Sequence, residues 1–335
     1  MEIILLDHIV TKTFNTNTKI ETLINQFRKV FGTSYEHIIN KARIKNRIKQ
    51  ILDFKIKLQE LQLQPVIVQR SDEWYNIRNN LITSSDFAQA LGKGKFGTKK
   101  QFYENKCGYK EVNIDFSIAP LQWGVRYEEV AKKVYESNMN IHVHEFGLMK
   151  HQSIDFVGAS PDGISENGIM LEIKCPWKRK KTETIPEQYY FQIQGQLEVC
   201  DLEECDYIEC FFKEYENEID FSEDDNVYYK GIIIKNHKDE YEYGELNDLD
   251  FHKDKEYKQK YLYGLKDVFQ RRVYRDRIFF TDIINDIETV WNNVKMYRSD
   301  KNKYDLEIKP KTKLKTSYAK KIDTKLSFRF DPEED

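Results

Sequence analysis

Glycine and proline are both scarce, at 14 and 7 in 335 residues. That scarcity excludes a collagen-like or linker-rich chain. Cysteine is sparse too: five residues (Cys107, Cys175, Cys200, Cys205 and Cys210), with no Cys-x2-Cys pair. Neither a disulfide scaffold nor a zinc ribbon is expected, and the last three read as small core residues in a reducing compartment. No segment approaches the roughly 18 apolar residues that a membrane span needs. The opening MEIILLDHIV lacks the basic segment of a secretory leader and carries acids among its apolar residues. These absences predict a soluble, intracellular protein. Excess charge is missing as well: 53 Lys+Arg face 56 Asp+Glu, a net charge of −3. At first sight that balance argues against a nucleic-acid partner.

The chain does have 40% hydrophobic residues, enough for a sizeable core. Its length suggests about two folding units, or one core with large additions. Residues 1–65 read as an N-terminal helical extension. Tyr35 to Leu63 holds no Gly or Pro, and Ile38, Ile39, Ala42, Ile48, Ile51, Leu52, Leu58 and Leu61 recur at helical spacing. Lys41, Arg43, Lys45, Arg47 and Lys49 form a basic face, expected to be solvated, with a DNA-touching face as the alternative. Residues 66–240 mix the two periodicities. Helical patterns cover Trp74–Ala90, Gln122–Asn138 and Ile185–Cys200. Strand patterns cover Phe146–Ala159, Ile164–Lys174, Tyr207–Tyr215 and Val227–Lys235. The expected fold is α/β, a mixed central sheet flanked by helices. Residues 241–300 read as a C-terminal helical part, with one apolar stripe at Phe280, Ile283, Ile284, Ile287, Trp291 and Val294. Residues 301–335 read as a basic tail.

The chemistry concentrates between Ser160 and Pro176. Asn167-Gly168 between two apolar runs signals a two-residue hairpin turn, because both turn positions favour positive φ. In that register Ile164 faces Leu171, Gly163 faces Glu172, and Asp162 lands beside Glu172. Glu172 and Lys174 then share one face of the second strand, while Leu171 and Ile173 enter the core. Two carboxylates and an amine meet at a sheet surface. Adjacent carboxylates repel unless a cation neutralises them. Oxygen ligands suit Mg²⁺, which polarises phosphoryl oxygens and acidifies water. The motif alone also fits an exposed hairpin with a cross-strand salt bridge.

Three further blocks accompany it. The first is Arg70-Ser71-Asp72-Glu73-Trp74-Tyr75-Asn76-Ile77-Arg78, running on to Ile82-Thr83-Ser84-Ser85. The second is Trp123-Gly124-Val125-Arg126-Tyr127-Glu128-Glu129. The third is Tyr189-Tyr190-Phe191-Gln192-Ile193-Gln194-Gly195-Gln196. In this order the four blocks resemble the lambda-exonuclease or YqaJ-type viral recombinase nucleases of the PD-(D/E)XK superfamily, over roughly residues 66–235. Position 84 departs from the family pattern, with Ser for Ala.

The resemblance implies a restriction-endonuclease-like core with roles for the matching positions. Asp162, Glu172 and the Ile173 carbonyl would hold a metal, and Glu128 a second metal or its water. Lys174 would position or activate the water, and Gln192 would orient it. Arg78, Ser85 and Ser160 would bind a terminal 5′-phosphate, with Ser84 leaving open which hydroxyl serves. Trp74 is a core anchor or a base-stacking side chain. Gln188 and Gln196, on the Gln192 face, are expected to be solvated. The cofactor implied is Mg²⁺, with Mn²⁺ able to substitute and no iron–sulfur cluster. The function implied is a 5′-to-3′ exonuclease on double-stranded DNA ends, in viral recombination, repair or genome defence. The resemblance also implies a homo-oligomer and a single-strand annealing protein or helicase as partner. The composition suits a large DNA virus, so the host cytoplasm or a viral factory is the expected location. An endonuclease of the same superfamily and an inactive DNA-binding subunit stand as alternatives.

The net charge is an average over opposed segments. Residues 198–225 carry thirteen acids and one lysine, residues 93–110 six lysines and one acid, and residues 174–181 five basic residues and no acid. Local fields govern phosphate attraction. Positive patches are expected near the site, with the acidic run facing solvent or a subunit neighbour.

Overall fold

The computed structural model describes residues 41–68, 71–110 and 118–308, together with Leu6, Asp7, Val10, Thr11, Thr22 and Asn25. Most of the N-terminal extension before residue 41, Arg70 of the first motif block, and the tail beyond residue 308 lie outside the described residues. The helices are α1 (Lys41–Gln62), α2 (Asp72–Asn79), α3 (Phe87–Ala90), α4 (Lys99–Lys106), α5 (Ala119–Met139), α6 (Glu187–Cys200), α7 (Glu218–Glu223), α8 (Arg277–Ser299) and α9 (Lys301–Glu307). The strands are β1 (Ile82–Thr83), β2 (Val143–His144), β3 (Met149–Lys150), β4 (Val157–Ala159), β5 (Gly163–Ser165), β6 (Met170–Lys174), β7 (Glu204–Tyr215), β8 (Tyr229–Lys235), β9 (Tyr241–Tyr243) and β10 (Gln259–Tyr274).

Seven strands form one mixed sheet in the order β2-β5-β6-β7-β10-β8-β9, and β1-β4-β3 form a small second sheet. In the large sheet β6 and β7 are parallel. A parallel pair needs a crossover, and α6 supplies it. Helix α5 covers one face, where Trp123, Tyr127, Val130 and Val134 pack with Leu171 and Ile173. On the other face Phe191, Ile193 and Leu197 of α6 pack with Met170 and Tyr207. The sheet is therefore sandwiched, as the mixed pattern predicts. The apolar stripe of α8 docks on the α6 side, with Ile287, Trp291 and Val294 buried. Among the described residues, no helix is long and apolar enough to cross a membrane.

Several local expectations need correction. The first part of residues 241–300, expected as helical, holds β9 and the sixteen-residue strand β10, and the chain turns helical only at Arg277. Helix formers such as Lys, Leu, Gln and Arg populate β10, but it pairs on both edges, with β7 and β8. A bulge between Leu265 and Asp267 also breaks its two-residue alternation. Ladder bonding on both sides overrides local propensity there. Trp74–Ala90 is not one helical stretch: β1 and a 3-10 turn at Ser84–Asp86 interrupt it. The strand expected over Phe146–Ala159 is two short strands, β3 and β4, paired antiparallel. The first residues of the tail, Lys301–Glu307, are helical.

The buried seam of α1 runs through Ile44, Arg47, Ile51, Leu58 and Leu61, while Leu52 is exposed. Arg47, expected on a solvated face, thus occupies a core position. Its guanidinium meets Asp7 and Glu204, and Arg272 of β10 meets Asp7, Glu204 and Asp206. The Tyr135 hydroxyl donates to Asp206 at 2.8 Å. Three carboxylates and two guanidinium groups here join the N-terminal segment, α1 and the sheet. The acidic run expected to face solvent in fact sends Glu204, Asp206 and Glu209 inward. Residues of β7 must alternate between two covered faces, so its acids are buried against arginines.

Candidate functional site

The site is built on the β5–β6 hairpin. Its register differs by one residue from the expected one: Gly163 pairs with Leu171 and Ile164 with Met170. The Ser165 N–H donates to the Ile169 carbonyl at 2.9 Å, so the loop holds three residues, 166–168. Gly168, at φ +70°, is the left-handed residue that such a loop requires. One step further along this register, Asp162 stands opposite Glu172. The grouping of acids survives because one pairing slip moved Asp162 closer to Glu172. The hairpin tip is not exposed. Asn167 Nδ2 donates to Thr11 Oγ1 at 2.8 Å, and the backbone of Phe54 in α1 closes over Gly168.

Glu172 lies fully buried rather than on a sheet surface. Its Oε2 accepts from Gln196 Nε2 at 2.8 Å, and its Oε1 forms an ion pair with the Lys174 ammonium. Gln196 also donates to the Ser160 carbonyl at 3.3 Å. Asp162 Oδ2 accepts from the Ile173 N–H at 2.6 Å. Asp162, Ile173 and Glu128 of α5 line one cavity of about 450 Å³. Val66 and Val68, from the strap between α1 and α2, form part of its wall. Burial, then the Glu172 and Glu128 charges, push the Asp162 carboxyl well above its usual range. Burial alone would lower Lys174, but the Glu172 and Asp162 charges outweigh it and hold the ammonium protonated. The Lys174 Nζ also lies 5.0 Å from the centre of the Tyr189 ring.

These donors suit a hard divalent cation in kind. Asp162 and Glu128 line one cavity, Glu172 lies beside them, and the Asp162 carboxyl is forced toward its neutral form, a crowding of negative charge that a hard cation relieves. Their present orientation is another matter. Among the described residues, no three His, Cys, Asp or Glu side chains converge as ligands. Glu172 is turned onto Lys174 and Gln196, and Asp162 onto the Ile173 N–H. An ion held here would have to share the Glu172 oxygens with Lys174 and Gln196.

The second helix face also differs from expectation. Gln192 is half-buried, one turn before Gln196 on the same face, but Gln196 makes the contact to Glu172. Gln196, expected to be solvated, is fully buried. The four-residue spacing from Gln192 was its signal in the sequence. Spacing alone could not tell which end of the face meets the sheet.

Arg78, Ser85 and Trp74 do come together. Ser71 caps α2 by accepting from the Trp74 N–H at 3.1 Å, and Asp72 and Glu73 favour the helix start. Arg78 Nη2 donates to Ser85 Oγ at 3.1 Å, and its guanidinium lies 4.9 Å from the centre of the Trp74 ring. Ser84 is buried against α6, where Gly195 leaves room for it: a β-carbon there would stand 2.8 Å from Ser84 Cβ. Ser85 is thus the hydroxyl that meets Arg78. Ser160 joins the carboxylate end of the site through Gln196, and its own hydroxyl is buried without a partner. Two residues without a sequence signal complete this corner. Asp86 lies 3.6 Å from Arg78 and 3.0 Å from Lys106 Nζ. Lys106 also donates to the Arg78 and Leu81 carbonyls. Burial works against the Asp86 charge, but Lys106 and Arg78 outweigh it and hold its pKa down at about 2.

Comparison with known proteins bears on the whole stretch. Residues 73–203 match the YqaJ-like viral recombinase domain. An uncharacterized protein of Acanthamoeba polyphaga mimivirus is 27% identical over 194 residues, covering 52% of this chain and 35% of that protein. A protein of African swine fever virus is 26% identical over 164 residues, covering 38% of this chain and 45% of that protein. The chain thus spans less than half the length of these viral relatives. Among solved structures, an alkaline exonuclease from Laribacter hongkongensis superposes with a TM-score of 0.47 at 19% identity, covering 71% of this chain and all of that one. A phage-related exonuclease from Haemophilus somnus gives 0.40 at 12% identity, covering 68% and 97%.

Proposed function

With residues 73–203 carrying a YqaJ-like viral recombinase domain, we propose that the protein is a divalent-metal-dependent deoxyribonuclease that degrades duplex DNA from 5′-phosphate ends. The observation that carries this reading is the placement of Asp162, Glu172 and Lys174 on one hairpin, with Glu128 across the cavity. Asp162, Glu172, Glu128 and the Ile173 carbonyl are the donors for Mg²⁺, or for Mn²⁺ in its place. When bound, such an ion polarises a phosphoryl oxygen and acidifies a water. The chain supplies the rest. Lys174, kept cationic by its carboxylate neighbours, sets positive charge beside the phosphoryl group under attack. Gln196 fixes the Glu172 carboxylate, and Gln192 lies one turn before Gln196 on the same helix face. Arg78 and Ser85 receive the terminal phosphate through the guanidinium fork and a hydroxyl. Asp86 keeps Arg78 aimed until phosphate competes for it. End recognition of this kind favours exonuclease action. The match to a viral recombinase domain supports a place in recombination, repair or defence of a viral genome, and the reading extends to a homo-oligomer with a single-strand annealing protein or helicase as partner.

The test is a digestion series on linear duplex with 5′-phosphate ends, the same duplex with 5′-hydroxyl ends, and a closed circle. Each is run with Mg²⁺, Mn²⁺ or chelator. The expected result is processive loss of the 5′-phosphate duplex with either metal, slow loss of the 5′-hydroxyl duplex, and an intact circle. Cleavage of the circle would overturn the exonuclease reading. Activity in chelator, or full activity in Glu172→Gln, would overturn the site assignment.

A further inference from the structure

Between α3 and α4 the chain crosses residues 91–98, a short loop with three glycines. It carries Phe96 outward, 84% exposed. From Phe87 to Tyr103 there is no acid, while Lys93, Lys95, Lys99 and Lys100 surround the ring in sequence. An isolated exposed apolar side chain is ordinary. An exposed aromatic ring on a basic, firmly seated loop is not.

The seating is visible residue by residue. The Lys93 N–H donates to the Ala88 carbonyl at 2.7 Å. Gly94 and Gly97 both lie flat on Gln89: a β-carbon at Gly94 would stand 2.9 Å from Gln89 Cα. The Gln89 amide donates to the Thr98 carbonyl at 3.1 Å. Thr98 and Gln101 then cap α4 reciprocally. The loop is also tied to α6. Lys95 N–H donates to Gln188 Oε1 at 3.0 Å, and Lys93 Nζ lies 3.3 Å from Glu187.

That tie fixes where the loop lies relative to the chemistry. Gln188, Gln192 and Gln196 are spaced by four and share one face of α6. Gln188 touches the loop and Gln196 touches Glu172. Eight residues of helix separate them, about 12 Å at 1.5 Å per residue. The loop therefore stands beside the first turn of α6, two turns along the helix from the residue that holds Glu172.

We propose that Phe96 stacks on an unpaired base of single-stranded DNA that passes this loop, with Lys93, Lys95 and Lys99 holding its phosphates. A paired base within a duplex has both faces covered by its neighbours, so a side chain that stacks selects an unpaired nucleotide. The lysines supply sequence-independent attraction. The inference rests on the nuclease reading for its substrate, and deepens it: the site would grip a melted or tailed end rather than the duplex alone.

The test uses the full chain in chelator, so that binding is read without hydrolysis. The probes are a blunt duplex and the same duplex with a short single-stranded tail carrying 2-aminopurine. Wild type is expected to quench 2-aminopurine and to prefer the tailed probe. Phe96→Ala and Phe96→Leu are expected to lose the quenching and to bind the tail roughly 5- to 150-fold more weakly, the range for losing one base–aromatic stack. Phe96→Trp is expected to retain both. Because the ring is exposed, all three variants should melt with wild type. Unchanged tail affinity in Phe96→Ala, equal losses on blunt and tailed probes, or a Phe96→Leu protein that binds like wild type would overturn the proposal. Failure of the nuclease reading is seen separately, as a wild type that leaves DNA uncut when metal is restored.

Discussion

Replacing Gly168 with alanine perturbs the hairpin from the end farthest from its carboxylates. The residue adopts φ +70°, a conformation that costs an L-residue about 1–2 kcal/mol. A β-carbon there would also stand 2.5 Å from the Phe54 carbonyl oxygen and 2.6 Å from its carbon. Both are backbone atoms in the middle of α1, so no side chain can swing away. Overpacking of that kind costs about 1–3 kcal/mol. The sum, roughly 2–5 kcal/mol, is a large share of the ~5–15 kcal/mol that holds a domain folded. A urea titration followed by far-UV circular dichroism should show the loss as a lower midpoint. Hydrogen exchange should show faster opening in α1 and in residues 163–174 together, because one contact holds them. Asn167→Ala, which removes only the hydrogen bond to Thr11, should cost about 1 kcal/mol. A Gly168→Ala change below about 0.5 kcal/mol, or exchange that speeds up in the hairpin and not in α1, would refute the seating of the helix on the turn.

Two other perturbations separate stability from chemistry. Gln196→Ala strips the buried Glu172 of its neutral donor, a loss of about 1–3 kcal/mol. It should lower kcat with KM for DNA nearly unchanged, so a variant with wild-type kcat would remove Gln196 from the site. Asp86 is held at about 2, below its unfolded value near ~3.9. A carboxylate with a depressed folded pKa stabilises the fold above the unfolded pKa, and that contribution fades as pH falls toward the folded value. The stability gap between wild type and Asp86→Asn should therefore be full near about pH 6 and shrink by about 2 kcal/mol between about pH 4 and pH 2. A gap that does not change over that window would show that Asp86 is not held by Lys106 and Arg78.

Much of the sheet was legible in the residues, because α5, α6, β7 and β8 carry unbroken periodic patterns with clear ends. Asp162, Glu172 and Lys174 were legible as a group because a tight turn forces both strands of a hairpin to meet. The turn type was not, since Asn167-Gly168 serves two-residue and three-residue loops alike. The strand β10 was hidden because its neighbours are distant in sequence and its bulge breaks the alternation. Arg47 was misread because a charged residue on a helix seam looks like a gap in an apolar stripe. Asp7 and Glu204, far away along the chain, pair with it and make its burial possible. Gln196 and Lys106 were missed for the same reason: their partners lie 24 and 20 residues away, on other elements.

The buried guanidinium–carboxylate cluster gives the molecule two electrostatic systems that respond differently to salt. Mobile ions screen exposed charges over about 8 Å at physiological ionic strength, and they weaken DNA binding by competing for phosphates. The lysines around Phe96 belong to that screened system. Arg47, Arg272, Asp7 and Asp206 do not, because their side chains are within 2% of full burial. Rising salt should thus loosen the grip on DNA long before it loosens the joint between the N-terminal segment, α1 and the sheet. In the nuclease proposed above, the grip on DNA gives way before the fold does.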